Sequence, residues 1–135
     1  MTHLAKHFTL EELTYSRTAI DHGILNKPTP AARQSLQYLV DTLLEPLRVY
    51  FGHPIAITSG YRCPEVNRLV GGVPTSQHTR GQAADCYVGT AGGAKDLLQA
   101  LEDSGLPFDQ AILYSRRHFL HLSARPDGRR QVLYR

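Results

Sequence analysis

Apolar residues recur along this chain in two rhythms, one helical and one extended. The clearest helical stretch begins after Asn26-Lys27-Pro28, a turn-rich spacer. Thr29 suits an N-cap and Pro30 suits the first helical position. Leu36, Leu39, Val40, Leu43, Leu44 and Leu47 then follow the i, i+3, i+4, i+7 spacing of one buried helix face. Pro46 lies inside that pattern and predicts a kink or break, with Gly52 marking the end. A second amphipathic helix is predicted from Thr90 to Glu102, with Leu97, Leu98 and Leu101 facing inward and Gly105 stopping it. The opening, HFTLEELTYSRTAIDHGI, reads as one short helix with Thr9 and Glu12 spaced as a capping box.

Extended segments come mainly later. PIAITSGYR predicts a short strand that ends at Ser59-Gly60, and Pro64 to Val70 a helical turn or two stopped by Gly71-Gly72. AADCYV, QAILY, FLHLSA and QVLYR complete the strand candidates, with the loop VPTSQHTRGQ before the first of these. Helices first and strands later predict an α+β domain, a mostly antiparallel sheet flanked by helices. A length of 135 residues suits a single domain over 1–135. Hydrophobic residues at 41% and charged residues at 20% exclude a disordered chain as the default. No apolar run approaches the roughly 18 residues of a membrane helix, and the N-terminus lacks the pattern of a signal peptide.

The net charge of +3 gathers at the C-terminal end, in Arg125, Arg129, Arg130 and Arg135. Without interleaved aromatics these suggest a solvated hairpin end rather than a nucleic-acid face. No nucleic-acid or membrane partner is expected, and the chain is expected to act as a monomer. Cys63 and Cys86 lie in no C-x2-C pair and read as two reduced cysteines.

Among seven histidines, His3, His7, His22 and His53 sit in polar or turn contexts, where exposure or a local cap is the better reading. His78 lies seven residues before Asp85, and Gly81 between them permits a tight turn and a close backbone approach. Strand alternation in FLHLS places Phe119, His121 and Ser123 on one face and Leu120 and Leu122 on the other. Two imidazoles and a carboxylate leave one position of a tetrahedral zinc open, the arrangement of catalytic sites. Spacing alone favours the plainer alternative, histidines held in core or loop by ordinary hydrogen bonds.

The segment Ile57 to Val88, ITSGYRCPEVNRLVGGVPTSQHTRGQAADCYV, closely resembles the M15 family of zinc D-Ala-D-Ala carboxypeptidases and related peptidoglycan endopeptidases. S-G-Y-R at 59–62, S-x-H at 76–78, H-x6-D at 78–85, PFDQAIL at 107–113 and HLS at 121–123 carry the likeness. HFTLEEL and LLEPLR extend it to the small phage-type members. The resemblance implies a Hedgehog/DD-peptidase-like fold, zinc as cofactor, and His78, Asp85 and His121 as its ligands. It implies that Arg62 grips a substrate carboxylate or a developing oxyanion, and it makes Ser76 and Gln77 candidate contacts to ligands or substrate. The implied partner is a peptidoglycan stem peptide, cut at or near a D-amino acid. The implied place of action is the cell wall, from a cytoplasmic or phage-associated origin.

Three departures bear on the catalytic base. Where many branches carry glutamate, three residues before the last ligand, this chain has His118; where another has histidine, it has Phe119. The glutamate that small relatives carry after FDQ is replaced by Tyr114. His118 is the nearest titratable candidate for the base, although strand alternation would turn it away from His121. The alternatives are a catalytically impaired zinc-containing module that binds wall peptide or protein, and a globular domain without metal.

Overall fold

The computed structural model describes residues 1–135. The N-terminal stretch forms two short helices rather than one, α1 (Leu10–Thr14) and α2 (Arg17–Asp21). The capping box at α1 is complete. Glu12 N donates to Thr9 Oγ1 (3.2 Å), and Thr9 N donates to Glu12 Oε1 (2.8 Å). The break follows from Ser16, whose hydroxyl accepts from Ala19 N and so begins a new helix where the longer reading expected continuation.

α3 (Pro30–Leu39) starts as predicted, with Thr29 Oγ1 accepting from Ala32 N and Pro30 in its first turn. Pro46 does not break the helix. A π-helical stretch, Val40–Leu44, leads without interruption into α4 (Glu45–Phe51). Widening the turn before Pro46 accommodates a residue that cannot donate to the preceding turn and would crowd its carbonyl. The helix ends at Gly52, left-handed at φ 78°, whose N–H donates to Arg48 O. Leu36, Leu39, Val40, Leu43, Leu44 and Leu47 are fully buried.

The remaining elements are β1 (Ala56–Ser59), α5 (Pro64–Leu69), a single 3₁₀ turn (Gln77–Arg80), β2 (Ala83–Tyr87), α6 (Ala94–Ser104), β3 (Gln110–Leu113), β4 (Leu120–Ser123) and β5 (Gln131–Tyr134). Five strands make one sheet in the order β1-β2-β4-β3-β5. All neighbours are antiparallel except β3 and β5. The fold is the α+β arrangement expected from the sequence. Ala84, Cys86, Leu120, Leu122 and Ala111 point into a single core cluster with the long helix and α6. The opposite face, bearing Asp85 and His121, is left for α5, the 3₁₀ turn and an open cleft. No helix is long and apolar enough to cross a membrane. Cys63 and Cys86 are both free thiols, and full burial pushes the Cys86 thiol far up.

Candidate metal centre

Two of the three predicted ligands are fixed by sheet register. Asp85, in the middle of β2, stands directly opposite His121 on β4. Both side chains leave the sheet on the face away from the core, as the alternation of apolar and polar residues required. On the far side of β2 stands Ser59 of β1, reached through an irregularity in the register between Ile57 and Ser59. Such a bulge redirects side chains at the edge of a site.

His78 comes from the 3₁₀ turn. Ser76 Oγ accepts from His78 N (3.2 Å) at its start, and Gly81 closes it in the left-handed region at φ 71°. A Cβ on Gly81 would also run into the carbonyl of Ala32 on α3. Both properties that the sequence suggested for this glycine, a tight turn and a close backbone approach, are therefore in use.

The donor atoms converge. Asp85 Oδ1 lies 3.4 Å from His78 Nε2 and 3.0 Å from His121 Nδ1, and the three donors lie within 4.8 Å of one another. Tetrahedral zinc with nitrogen and oxygen donors at roughly 2.0–2.1 Å separates its ligands by about 3.3 Å. The residues thus fit such an ion in number, chemistry and spacing. His78 Nδ1 donates to the Gly60 carbonyl at 2.7 Å, which leaves the Nε2 lone pair facing Asp85. Its hydrogen-bonding partner is therefore a backbone carbonyl, not the side chain of Ser76 or Gln77. Burial would push the Asp85 carboxyl up, but the adjoining imidazoles of His121 and His78 outweigh it and hold the group well below the usual carboxylate range.

Arg62 flanks the triad. Its backbone N–H donates to His78 O, its Nε to Ser59 Oγ (3.2 Å) and its Nη1 to Asn67 Oδ1 (3.1 Å). Nη2 is left 3.9 Å from Asp85 Oδ2. Burial lowers the guanidinium's pKa, opposed by the charges of Asp85 and Tyr114. Asn67, buried in α5, also donates to Val73 O and is a clamp that sequence reasoning missed. Gly72 lets it sit there, because a Cβ on that residue would meet both Asn67 and Arg62.

Two grooves meet at the triad. One, of about 480 Å³, is lined by Arg62, Asp85, Tyr61, Tyr87, His118 and Phe119. The other, of about 350 Å³, is lined by His121, Ser76, Gln77, Arg80, Arg125 and Arg129. His118 is exposed and lies in the turn before β4, because that strand begins only at Leu120. Alternation does not apply to it, and it borders the same groove as Asp85 and Arg62. Tyr114 and Phe119 pack with ring centroids 5.5 Å apart. Gln77 donates to Asp109 Oδ2 (2.7 Å) and not to a ligand.

A buried and a half-buried imidazole with a buried carboxylate, opening onto a cleft above a mixed sheet, make the donor set of a metal-dependent hydrolase. No characterised protein matches the chain closely enough in sequence to serve as a relative. The Peptidase M15 family model matches residues 6–123, and the chain belongs to that family of metallopeptidases.

Proposed function

We propose that this protein is a zinc peptidase that hydrolyses peptidoglycan stem peptides at or near a D-amino acid, as a D-Ala-D-Ala carboxypeptidase or an endolysin-like endopeptidase. One observation carries the reading: His78 Nε2, Asp85 Oδ1 and His121 Nδ1 meet at ligand spacing on the floor of an open cleft, within a chain of the M15 family. His78, Asp85 and His121 would hold the zinc, which when bound would supply Lewis-acid polarisation of the scissile carbonyl and a nucleophile near neutral pH.

The chain supplies the rest. Arg62, immobilised by Ser59 and Asn67, presents its remaining guanidinium edge to a substrate carboxylate or to the negative charge that develops on the carbonyl oxygen. Ser76 and Gln77 border the second groove and contact substrate there. His118, at the rim of the first groove, takes and returns the proton. Incubating the zinc-loaded protein with purified peptidoglycan or a D-Ala-D-Ala peptide should release product, and chelator should abolish it. Absence of cleavage under any metal load would sink the proposal.

A second reading has an observation of its own. Asp85 is the only carboxylate residue lining either groove, and it belongs to the donor triad. A zinc-containing module that grips wall peptide without turning it over needs no base. Measurable peptide binding with one tightly held zinc and no hydrolysis would favour it.

A further inference from the structure

The arginines near the C-terminal end do not form one solvated hairpin end. Arg125 and Arg129 fold back onto Asp109, a fully buried carboxylate at the start of β3 that Gln77 also reaches. Arg129 donates from Nε to Oδ1 and from Nη2 to Oδ2, each at 2.9 Å, and these bonds hold the Asp109 carboxyl well below its usual range. Arg130 lies over the Phe108 ring, 4.9 Å from its centroid. Arg135 instead lines a third groove, together with Lys95 and Arg117.

That groove, of about 720 Å³, is larger than either groove at the metal centre and joins one of them. Tyr87, Arg117 and His118 border both it and the groove of Arg62 and Asp85. Tyr87 stands two residues beyond Asp85 on β2, roughly 7 Å along the strand and on the same face. A ligand seated at the triad can therefore continue into the third groove, whose volume is that of a site for a whole small molecule.

The lining suits an uncharged ligand built of rings and hydroxyls. Tyr87, Tyr114 and Tyr134 offer phenol rings, each an apolar face with a polar tip. Tyr134 and Tyr87 are 70% and 45% exposed, so these rings are not spent on the core. Ala91, Gly92, Gly93 and Ala94 add a stretch of wall without projecting side chains. No acidic side chain lines the groove, which leaves nothing to pair with a cationic ligand. A strong anion is disfavoured too, although α6 begins here. Asp96 Oδ2 accepts from Thr90 Oγ1 (2.7 Å) and from Gly92 N (3.0 Å), so a carboxylate already holds the turn before that helix. Lys95, Arg117 and Arg135 are exposed at the surface and supply only donors, which match hydroxyl and amide-carbonyl oxygens.

From this geometry we infer that the third groove is a saccharide subsite, which binds the N-acetylated amino-sugar chain carrying the stem peptide while the peptide lies at the metal centre. The inference rests on the peptidase reading for the place of the peptide; the groove's own ligand class is tested without it.

The metal-free full chain is titrated with a peptide-free oligosaccharide of N-acetylated hexosamines and followed by amide shifts in nuclear magnetic resonance. Saturable shifts are expected at 90–95 and 131–135. Tyr134→Ala should weaken binding about tenfold, the worth of roughly 50 Å² of apolar contact. Tyr134→Phe keeps the ring and should keep most of the affinity. Lys95→Ala, on another element, should also weaken binding and keeps the test decisive if Tyr134→Ala disturbs β5. The zinc-loaded chain is then compared on free stem peptide and on the same peptide carrying its disaccharide. The disaccharide should lower KM about tenfold with little change in kcat, and this advantage should shrink in Tyr134→Ala. No saturable binding of the oligosaccharide, or binding that survives both alanine substitutions, would overturn the subsite. Hydrolysis of both substrates with equal KM would do the same and leave the peptidase reading standing. Oligosaccharide binding without hydrolysis of either substrate would uphold the subsite and count against that reading. Preferential binding of a single-stranded oligonucleotide or an acidic polymer, lost in high salt, would assign the groove to polyanions and overturn the inference.

Discussion

Replacing Gly60 by alanine tests how the fold and the metal centre are joined. Gly60 has no positive φ, so its backbone accepts alanine. Loss of unfolded-state freedom alone would then stabilise the variant by about 0.4–1 kcal/mol. Packing opposes this. The added Cβ would collide with the main-chain carbonyl of Leu13, which is held in place by the N–H of Tyr61 at 2.7 Å. A backbone atom so anchored cannot swing aside as a flexible side chain can. Overpacking costs about 1–3 kcal/mol, and weakening the Tyr61 hydrogen bond adds about 1 kcal/mol. The net expectation is destabilisation by about 1–4 kcal/mol, measured as thermal unfolding without metal. The Gly60 carbonyl also receives His78 Nδ1–H, so its displacement should turn the imidazole. Zinc affinity in competition with a chelator should drop by about 10–100-fold, as for other groups that orient ligands. A variant that melts at or above the parent temperature and holds zinc equally well would refute this account.

Two further substitutions probe the charges. Asp109→Asn should destabilise the protein by about 2–3 kcal/mol at pH 7, less than for a fully buried pair because both arginine partners reach water. The depressed carboxyl of Asp109 means that the native state binds fewer protons than the unfolded chain. Its contribution should therefore be complete above about pH 5 and be lost progressively as acid approaches the depressed folded value; denaturant melts of parent and variant should draw together gradually below about pH 4. Asp85→Asn should remove most bound zinc, read as metal content after gel filtration, because the oxygen shared between both imidazoles loses its charge.

The sequence announced the parts of this molecule that depend on local order. Apolar spacing marked the faces of α3, α4 and α6, and S-x-H, H-x6-D and HLS, through the family resemblance, named the three donor residues that the structure brings together. Pro46 misled, because the widened turn before it is a backbone adjustment with no side-chain signature. The opening helix divided because Ser16 competes for backbone donors within a pattern that otherwise continues. Asp109 and Asn67 went unnoticed for a different reason. Each is a single polar residue in a short element, and its role appears only through partners remote in sequence, such as Gln77 and Arg129 for the former. Arg125 and Arg129 looked like solvated charges because nothing local reveals the buried carboxylate beneath them.

The three donors do not stand on equally firm ground. Asp85 and His121 face each other across adjacent inner strands, where backbone amides exchange with water only upon extensive opening. His78 rides on one short turn, closed by a glycine and tethered through a few main-chain bonds. Lifting of this turn would open the site to a bound ion's escape while the two-strand half of the cradle stays assembled. A substitution confined to this turn is therefore expected to shorten the residence of a bound ion more than it lowers global stability.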